Sequence, residues 1–337
     1  MAGAITSEPR RVSVVIPTWN GGPRFLRLLE VLAGQDVDGG LQLVVIDSGS
    51  TDGTPDAARA AGALVETIPQ VEFNHGRTRN RAIERASGEV VALLTQDAVP
   101  MDAGYLTALV ASFDDARVDG AYARQFPRPD CDPILAERLR QWSASRVERV
   151  LQSLAPDAPG DADAARVAWD ALSPVRRYLA CAFDNVASAV RRSSWERHPL
   201  PERSFGEDVA WAREVVRSGR AIAYVPTACV EHSHRIDLVR EFKRLYCDHR
   251  NLMELFGLRN VPSWRAVLDG WKHQRGVYAD LLAGQDLGRI ERLRWRLYAV
   301  PYALAETAAQ FLGARSHWKS AESRFWRWAD GRLRDKV

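Results

Sequence analysis

Three acids and two histidines stand where they could do chemistry. Asp97 follows a short apolar run, in Thr95-Gln96-Asp97. A carboxylate just past a buried strand, beside polar neighbours, suits a hard divalent cation. Mg2+ or Mn2+ can bridge two phosphates there and take most of its oxygen ligands from them. Capping of the following turn explains Asp97 equally well. Glu207 and Asp208, in Phe205-Gly206-Glu207-Asp208-Val209, are adjacent acids in a turn before a helical pattern. One of them can act as a general base toward a hydroxyl within hydrogen-bond reach, and helix capping accounts for the same pair. His232 and His234 follow a strand in Val230-Glu231-His232-Ser233-His234, where alternation turns both imidazoles to one side. This serves a metal ligand plus a phosphate contact, and equally a pair of edge-strand histidines.

Two further stretches suit a nucleotide. Asp47-Ser48-Gly49-Ser50-Thr51-Asp52-Gly53 follows the apolar run Val44-Val45-Ile46. Strand, acid and Gly/Ser-rich turn let backbone groups come close to a base or ribose, although ordinary turn chemistry explains much of the pattern. Arg77 and Arg79, in Phe73-Asn74-His75-Gly76-Arg77-Thr78-Arg79-Asn80, fall on the first turn of a helix. Free amides and guanidinium groups there can meet phosphate; a solvated helix face is the alternative.

These residues need a frame that gathers them. Residues 12–17 read as a buried strand, and Pro23 opens a helix with Phe25, Leu28, Leu29 and Leu32 on one face, closed by Gly34. A second strand spans 41–46, and Thr54-Pro55 starts a helix that closes at Gly62. Residues 77–87 read as helix, 89–95 as strand, and Asp102 caps a helix carrying Tyr105, Leu106, Leu109 and Val110. Such alternation implies an α/β fold with a mostly parallel sheet flanked by helices on both faces. Ligands in such sheets bind at the carboxyl ends of the strands, so Pro17-Thr18-Trp19-Asn20, Asp47-Ser48 and Thr95-Gln96-Asp97 share one rim. Further on, Asp132-Pro133 begins a long helix and 155–165 read as a mobile loop. Residues 204–219 hold the acidic turn and a helix, 221–225 a strand, and the chain after His234 is helical.

Composition narrows the class. Over 337 residues, 46% are hydrophobic and 26% charged, enough to bury a full core and unlike a disordered chain. Cys131, Cys181, Cys229 and Cys247 form no CxxC pair and read as buried thiols of a cytoplasmic protein. No signal peptide is expected over residues 1–11, and no apolar run is long enough to cross a bilayer. The net charge of +3 is uneven: residues 289–337 hold nine Arg and two Lys against five acids, a net +6. This tail also carries Trp295, Trp318, Trp326 and Trp328. It is expected to pack as amphipathic helices on the catalytic domain with a basic, Trp-bearing face outward. That face could meet an anionic membrane at the inner side of the cell membrane; nucleic acid is not an expected partner.

Taken together, the motifs strongly resemble family 2 glycosyltransferases, which have the GT-A fold. The resemblance is carried by Val14-Val15-Ile16-Pro17-Thr18-Trp19-Asn20, by Asp47 to Thr54 (DSGSTDGT), and by Thr78-Arg79-Asn80. Ala86-Ser87-Gly88-Glu89, Thr95-Gln96-Asp97-Ala98 and Gly206-Glu207-Asp208 complete it, over about residues 11 to 240. Phe73-Asn74-His75-Gly76, the stretch Asp184-Asn185 to Arg191-Arg192, and His232-Ser233-His234 look like the bacterial rhamnosyltransferase branch. The resemblance implies a glycosyltransferase domain over 11–240 and a helical, basic, Trp-rich C-terminal region over 241–337.

The same resemblance implies roles. Pro17, Thr18, Trp19, Asp47, Ser48, Arg79, Gln96 and Asn185 would hold the nucleotide sugar. Asp97 and His232 would bind the divalent cation, and Asp208 would be the base of an inverting transfer. His234, Glu207 and Arg192 would be further contacts to diphosphate or acceptor. Thr95 and Ser48 stand where most members carry acids, a feature shared by the rhamnosyl-like branch, which leaves the metal few protein ligands. The donor implied is dTDP-L-rhamnose, with a UDP- or GDP-sugar as alternative, and the acceptor a glycan or lipid-linked hydroxyl of cell-surface polysaccharide. A sugar-phosphate nucleotidyltransferase and a silent binding subunit are competing classes; against the first, this sequence has no GxGxxG or GxxxxGK loop after its first strand.

Overall fold

The computed structural model describes residues 12–334, apart from 38, 142, 204, 235 and 236. Residues 1–11, where no signal peptide is expected, and the last three residues of the basic tail lie outside that range. Among the described residues nine strands form one sheet. They are β1 (Val12–Thr18), β2 (Leu41–Asp47), β3 (Leu64–Thr67), β4 (Val90–Leu94), β5 (Val99–Pro100), β6 (Val118–Phe126), β7 (Val150–Gln152), β8 (Ala187–Arg191) and β9 (Ala221–Glu231). Their order is β3-β2-β1-β4-β8-β6-β9-β5, with β7 also paired to β9. β1 to β4 are mutually parallel, as are β6 and β9. β8 runs antiparallel between β4 and β6, and β5 and β7 run antiparallel to β9. Six of the nine strands thus point one way, and the sheet is mainly parallel, as expected.

Both faces of this sheet are covered, which is why the central strands are apolar at consecutive positions. Val14 and Ile16 pack under Phe25, Leu28 and Leu32 of the Gly22–Ala33 helix, while Val15 faces Ile83 and the opposite layer. The second layer is closed by the Glu207–Arg217 helix, whose Trp211 is fully buried.

The reversal of β8 matters most for placement. Its register with β4 sets Ala187 against Leu94 and Arg191 against Val90, so the start of β8 lies at the rim where the parallel strands end. Asp184 and Asn185 are thereby delivered to that rim from the opposite direction.

Several local expectations change. The helix after Asp132 is Pro133–Gln141, nine residues and not long. The expected loop over 155–165 gives way at Asp161, whose carboxylate caps the Ala162–Ala171 helix through the N–H groups of Asp163 and Ala164. Burial of Ala165 and Trp169 holds that helix down. Residues 118–126 and 187–191, not read as strands, complete the centre of the sheet.

The C-terminal part is helical, as expected: Leu238–Phe256, Trp264–Ala283, Arg289–Glu322 and Arg324–Arg334. The anticipated boundary at 240/241 falls inside the Leu238–Phe256 helix. The Arg289–Glu322 helix crosses that helix with Gly313 so close to Tyr246 that a Cβ would lie 2.2 Å from the Tyr246 carbonyl oxygen. Tyr246 also donates to Asp330 at 2.8 Å, and Arg138 pairs with Glu241 and Glu306, tying the helices to the sheet domain. No helix among the described residues is long and apolar enough to cross a membrane.

Candidate active site

The rim is built first by β1 and β2. Their register pairs Thr18 with Asp47, and the buried Asp47 carboxylate accepts from Thr18 Oγ1 (3.0 Å), Ser50 Oγ (2.5 Å) and the N–H groups of Gly49 and Ser50. Four donors occupy its lone pairs, so Asp47 shapes the Gly49-Ser50 turn. A direct contact to a base or ribose would have to displace one of them. Gln96 clamps the rim across β1 and β4: Trp19 N–H donates to Oε1 (2.8 Å), and Nε2 donates to the Trp19 carbonyl (3.0 Å). Pro17 is half-buried and Trp19 half-exposed, which leaves the indole free to stack. The buried hydroxyls of Ser48 and Thr95 have no hydrogen-bond partner among the described residues.

Asp97, His232 and His234 meet at the end of β4, with one ligand atom from each all within 4.8 Å of one another. Asp97 Oδ1 lies 3.7 Å from His232 Nε2, and Oδ2 lies 3.8 Å from His234 Nδ1. Burial drives the His232 pKa down to about 3, and burial lowers His234 as well, so neutral rings offer their lone pairs. Burial opposes ionisation of Asp97, but the Arg128 guanidinium that donates to it holds the carboxyl below the usual carboxylate range. One carboxylate and two neutral imidazoles are a fitting donor set for a divalent cation, with His232 turning its Nε2 toward Asp97. His234, expected as a phosphate or acceptor contact, lies in the same cluster as Asp97 and His232. Arg128, which sequence reasoning missed, bridges the two loops: its guanidinium donates to the Asp97 carboxylate (3.2 Å), the Asp97 carbonyl and the Ser233 carbonyl.

A second cluster lies beside the first, because Thr95 N–H donates to the Val186 carbonyl at 3.0 Å. Glu207 is buried in an ion pair with Arg79, 2.7 Å, and accepts from Asn185 Nδ2 at 3.2 Å. Asn185 in turn accepts from Ser188 Oγ and offers its N–H to Asp208. Asp208 accepts only from backbone in this network, from Val209 N–H (2.8 Å) and Asn185 N–H (3.4 Å), and it keeps accessible surface. Burial of the carboxyl, with Glu207 and Asp184 nearby, pushes its pKa well above the ordinary value. Gly206, at φ +73°, sets the turn, and a Cβ there would collide with Asn251 of the Leu238–Phe256 helix. Asp184, also missed, is held by Gln125 at 2.7 Å and raised by burial.

Arg192 is not in the site. It lies at the far end of β8, beside the start of β4, where it braces the carbonyls of Ile83 and Ala86 and pairs with Glu196. The antiparallel course of β8, invisible in the local sequence, is the reason.

Fold and rim together define a glycosyltransferase of the GT-A type. The structure of glucosyl-3-phosphoglycerate synthase from Mycobacterium tuberculosis, in complex with Mn2+, uridine-diphosphate and glucosyl-3-phosphoglycerate, overlays with a TM-score of 0.51 at 19% identity. The overlay covers 74% of this chain and 81% of that one. The model of Glycosyl transferase family 2 matches residues 13–169. The chain is 30% identical over 316 residues to the O-antigen chain rhamnosyltransferase RfbN of Salmonella typhimurium, covering 92% of this chain and 91% of that protein. It is also 30% identical over 318 residues to WbaN of Salmonella anatum, an O-antigen chain rhamnosyltransferase, covering 91% and 90%. The chain belongs to glycosyltransferase family 2.

Proposed function

We propose that the enzyme transfers L-rhamnose from dTDP-L-rhamnose, with inversion, to a hydroxyl of a cell-surface polysaccharide or glycolipid precursor. The observation that carries the inverting reading is the setting of Asp208. Glu207 is spent on Arg79, whereas Asp208 accepts, among the described residues, only backbone hydrogen bonds and retains capacity for an acceptor hydroxyl. Asp208 takes the proton as that oxygen attacks the anomeric carbon in line. Trp19 and the Ser48 and Thr95 hydroxyls meet the nucleotide, and Asp97, His232 and His234 hold a divalent cation. That ion, Mg2+ or Mn2+, supplies charge stabilisation to the departing diphosphate. The donor follows from the two Salmonella relatives, whose likeness runs the length of this chain. Family membership sets aside the nucleotidyltransferase and the silent subunit.

A thermal-shift and turnover comparison of dTDP-L-rhamnose, UDP-glucose and GDP-mannose with Mn2+ or Mg2+ tests the donor. The dTDP sugar should give the largest stabilisation and the fastest release of nucleoside diphosphate, and NMR of the product should show an inverted anomeric centre. Preference for a UDP or GDP sugar would refute the rhamnosyl donor, and a retained configuration would remove Asp208 as base.

We also propose that the C-terminal region rests on an anionic membrane at its cytoplasmic side. Ile290, Leu293, Leu297, Val300 and Leu304 form an exposed apolar stripe along the Arg289–Glu322 helix, among the exposed Arg289, Arg294 and Arg296. Apolar side chains beside arginines are what an interfacial helix offers to lipid.

A further inference from the structure

Arg128 has a place of its own in the metal-ligand group. It follows β6, its side chain is 9% exposed, and its acceptors are the Asp97 carboxylate, the Asp97 carbonyl and the Ser233 carbonyl. Its N–H also donates to Ser233 Oγ at 3.3 Å. The two carbonyl contacts splice the loop bearing Asp97 to the loop bearing His232 and His234. The third contact takes a lone pair from the one anionic ligand.

We propose that Arg128 is a positioning residue that makes cation binding conditional on the nucleoside diphosphate. The guanidinium keeps the three ligands assembled and cancels the charge of Asp97, so a divalent ion alone enters a group with no net negative charge. A diphosphate brings several negative charges to the same place, and the guanidinium and the ion then share them. Coupling between two ligands is reciprocal, so the nucleotide strengthens the ion and the ion strengthens the nucleotide by the same factor. Arg128 enlarges that factor by weakening the ion-only state. The inference rests on the reading of Asp97, His232 and His234 as cation ligands.

The test is Mn2+ binding to the full-length enzyme, read by the loss of the free-ion electron paramagnetic resonance signal, with and without dTDP. Wild type should bind Mn2+ weakly alone and much more tightly with dTDP. Arg128→Gln should bind Mn2+ alone about ten-fold more tightly, the weight of one nearby positive charge on a divalent ion even under strong screening. The enhancement by dTDP should shrink by the same factor. Arg128→Lys keeps the charge and should retain the wild-type pattern. If both variants bind Mn2+ alone more weakly, Arg128 is a brace and the proposal fails. An enhancement unchanged in Arg128→Gln would also overturn it. Absence of Mn2+ binding in wild type even with dTDP would instead overturn the cation reading itself, and this inference with it.

Discussion

Glu207 and Asp208 are chain neighbours with opposite electrostatic fates. Burial alone would raise Glu207, but Arg79 and His75 outweigh it and hold its carboxylate low, so the group is stabilising at neutral pH. Glu207→Gln leaves the Arg79 charge buried without its partner, and should cost about 3–5 kcal/mol in chemical denaturation. Asp208 is the reverse case. Its folded-state pKa lies above the unfolded value, so its favourable contribution is present below the ordinary 3.8 and is lost as pH rises through the folded value. Asp208→Asn should therefore raise the melting temperature at pH 7.5 more than at pH 4.5, while transfer falls about 10²–10⁴-fold. The acid limb of kcat/KM in wild type should lie above the usual carboxylate range. A lower melting temperature for Asp208→Asn at pH 7.5, or near-normal transfer, would contradict the assignment. That the two acids face different surroundings is legible in the sequence, since side chains in a turn diverge. Which cation holds Glu207 is not, because Arg79 lies 128 positions away.

At the scale of elements, β1, β2 and β4 were readable because strands buried on both faces show unbroken apolar runs. β6 hid itself. Its Asp119 and Gln125 are buried polar residues, satisfied by Arg191, Arg197 and Arg220 and by Asp184, partners that no local pattern announces. The antiparallel direction of β8 was equally hidden, and it sets Asn185 at the rim and Arg192 at the far end. The acidic turn depends on both backbone and neighbour. Gly206→Ala would force a side chain into the left-handed region and against Asn251. We expect a loss of about 1–3 kcal/mol, with transfer reduced more than dTDP binding. Unchanged stability and rate in that variant would show the turn to be tolerant.

Across the whole molecule, the helical nature of the tail was legible, but its outward face was not. Trp295, Trp318 and Trp326 are partly buried and only Trp328 is largely exposed, so aliphatic residues make most of the bare surface. Helix periodicity marks a stripe without saying whether protein or solvent covers it. Ile290 is 87% and Leu297 65% exposed, and these decide the matter here. Sedimentation with anionic vesicles should bring down the wild type at low salt and less at high salt. The double variant Leu293→Ser, Leu297→Ser should remain in the supernatant and still turn over a soluble acceptor. Equal sedimentation of both proteins would exclude this stripe as the contact.

The end of β6 serves both halves of the site through consecutive residues. Gln125 fixes Asp184 near Asp208, and the Phe126 carbonyl receives the His232 N–H at 2.9 Å, with Arg128 two residues on. The span between the Asp184–Asp208 cluster and the Asp97–His232–His234 cluster is therefore gauged by a strand and not by either loop. A strand is stiff along its length, so this caliper holds the two clusters at a fixed separation. The same stiffness makes its failure common to both ends: a one-residue slip in β6 would turn Gln125 to the wrong face and carry the His232 anchor with it. Both clusters would be displaced together, and a register change in this strand cannot move one without the other.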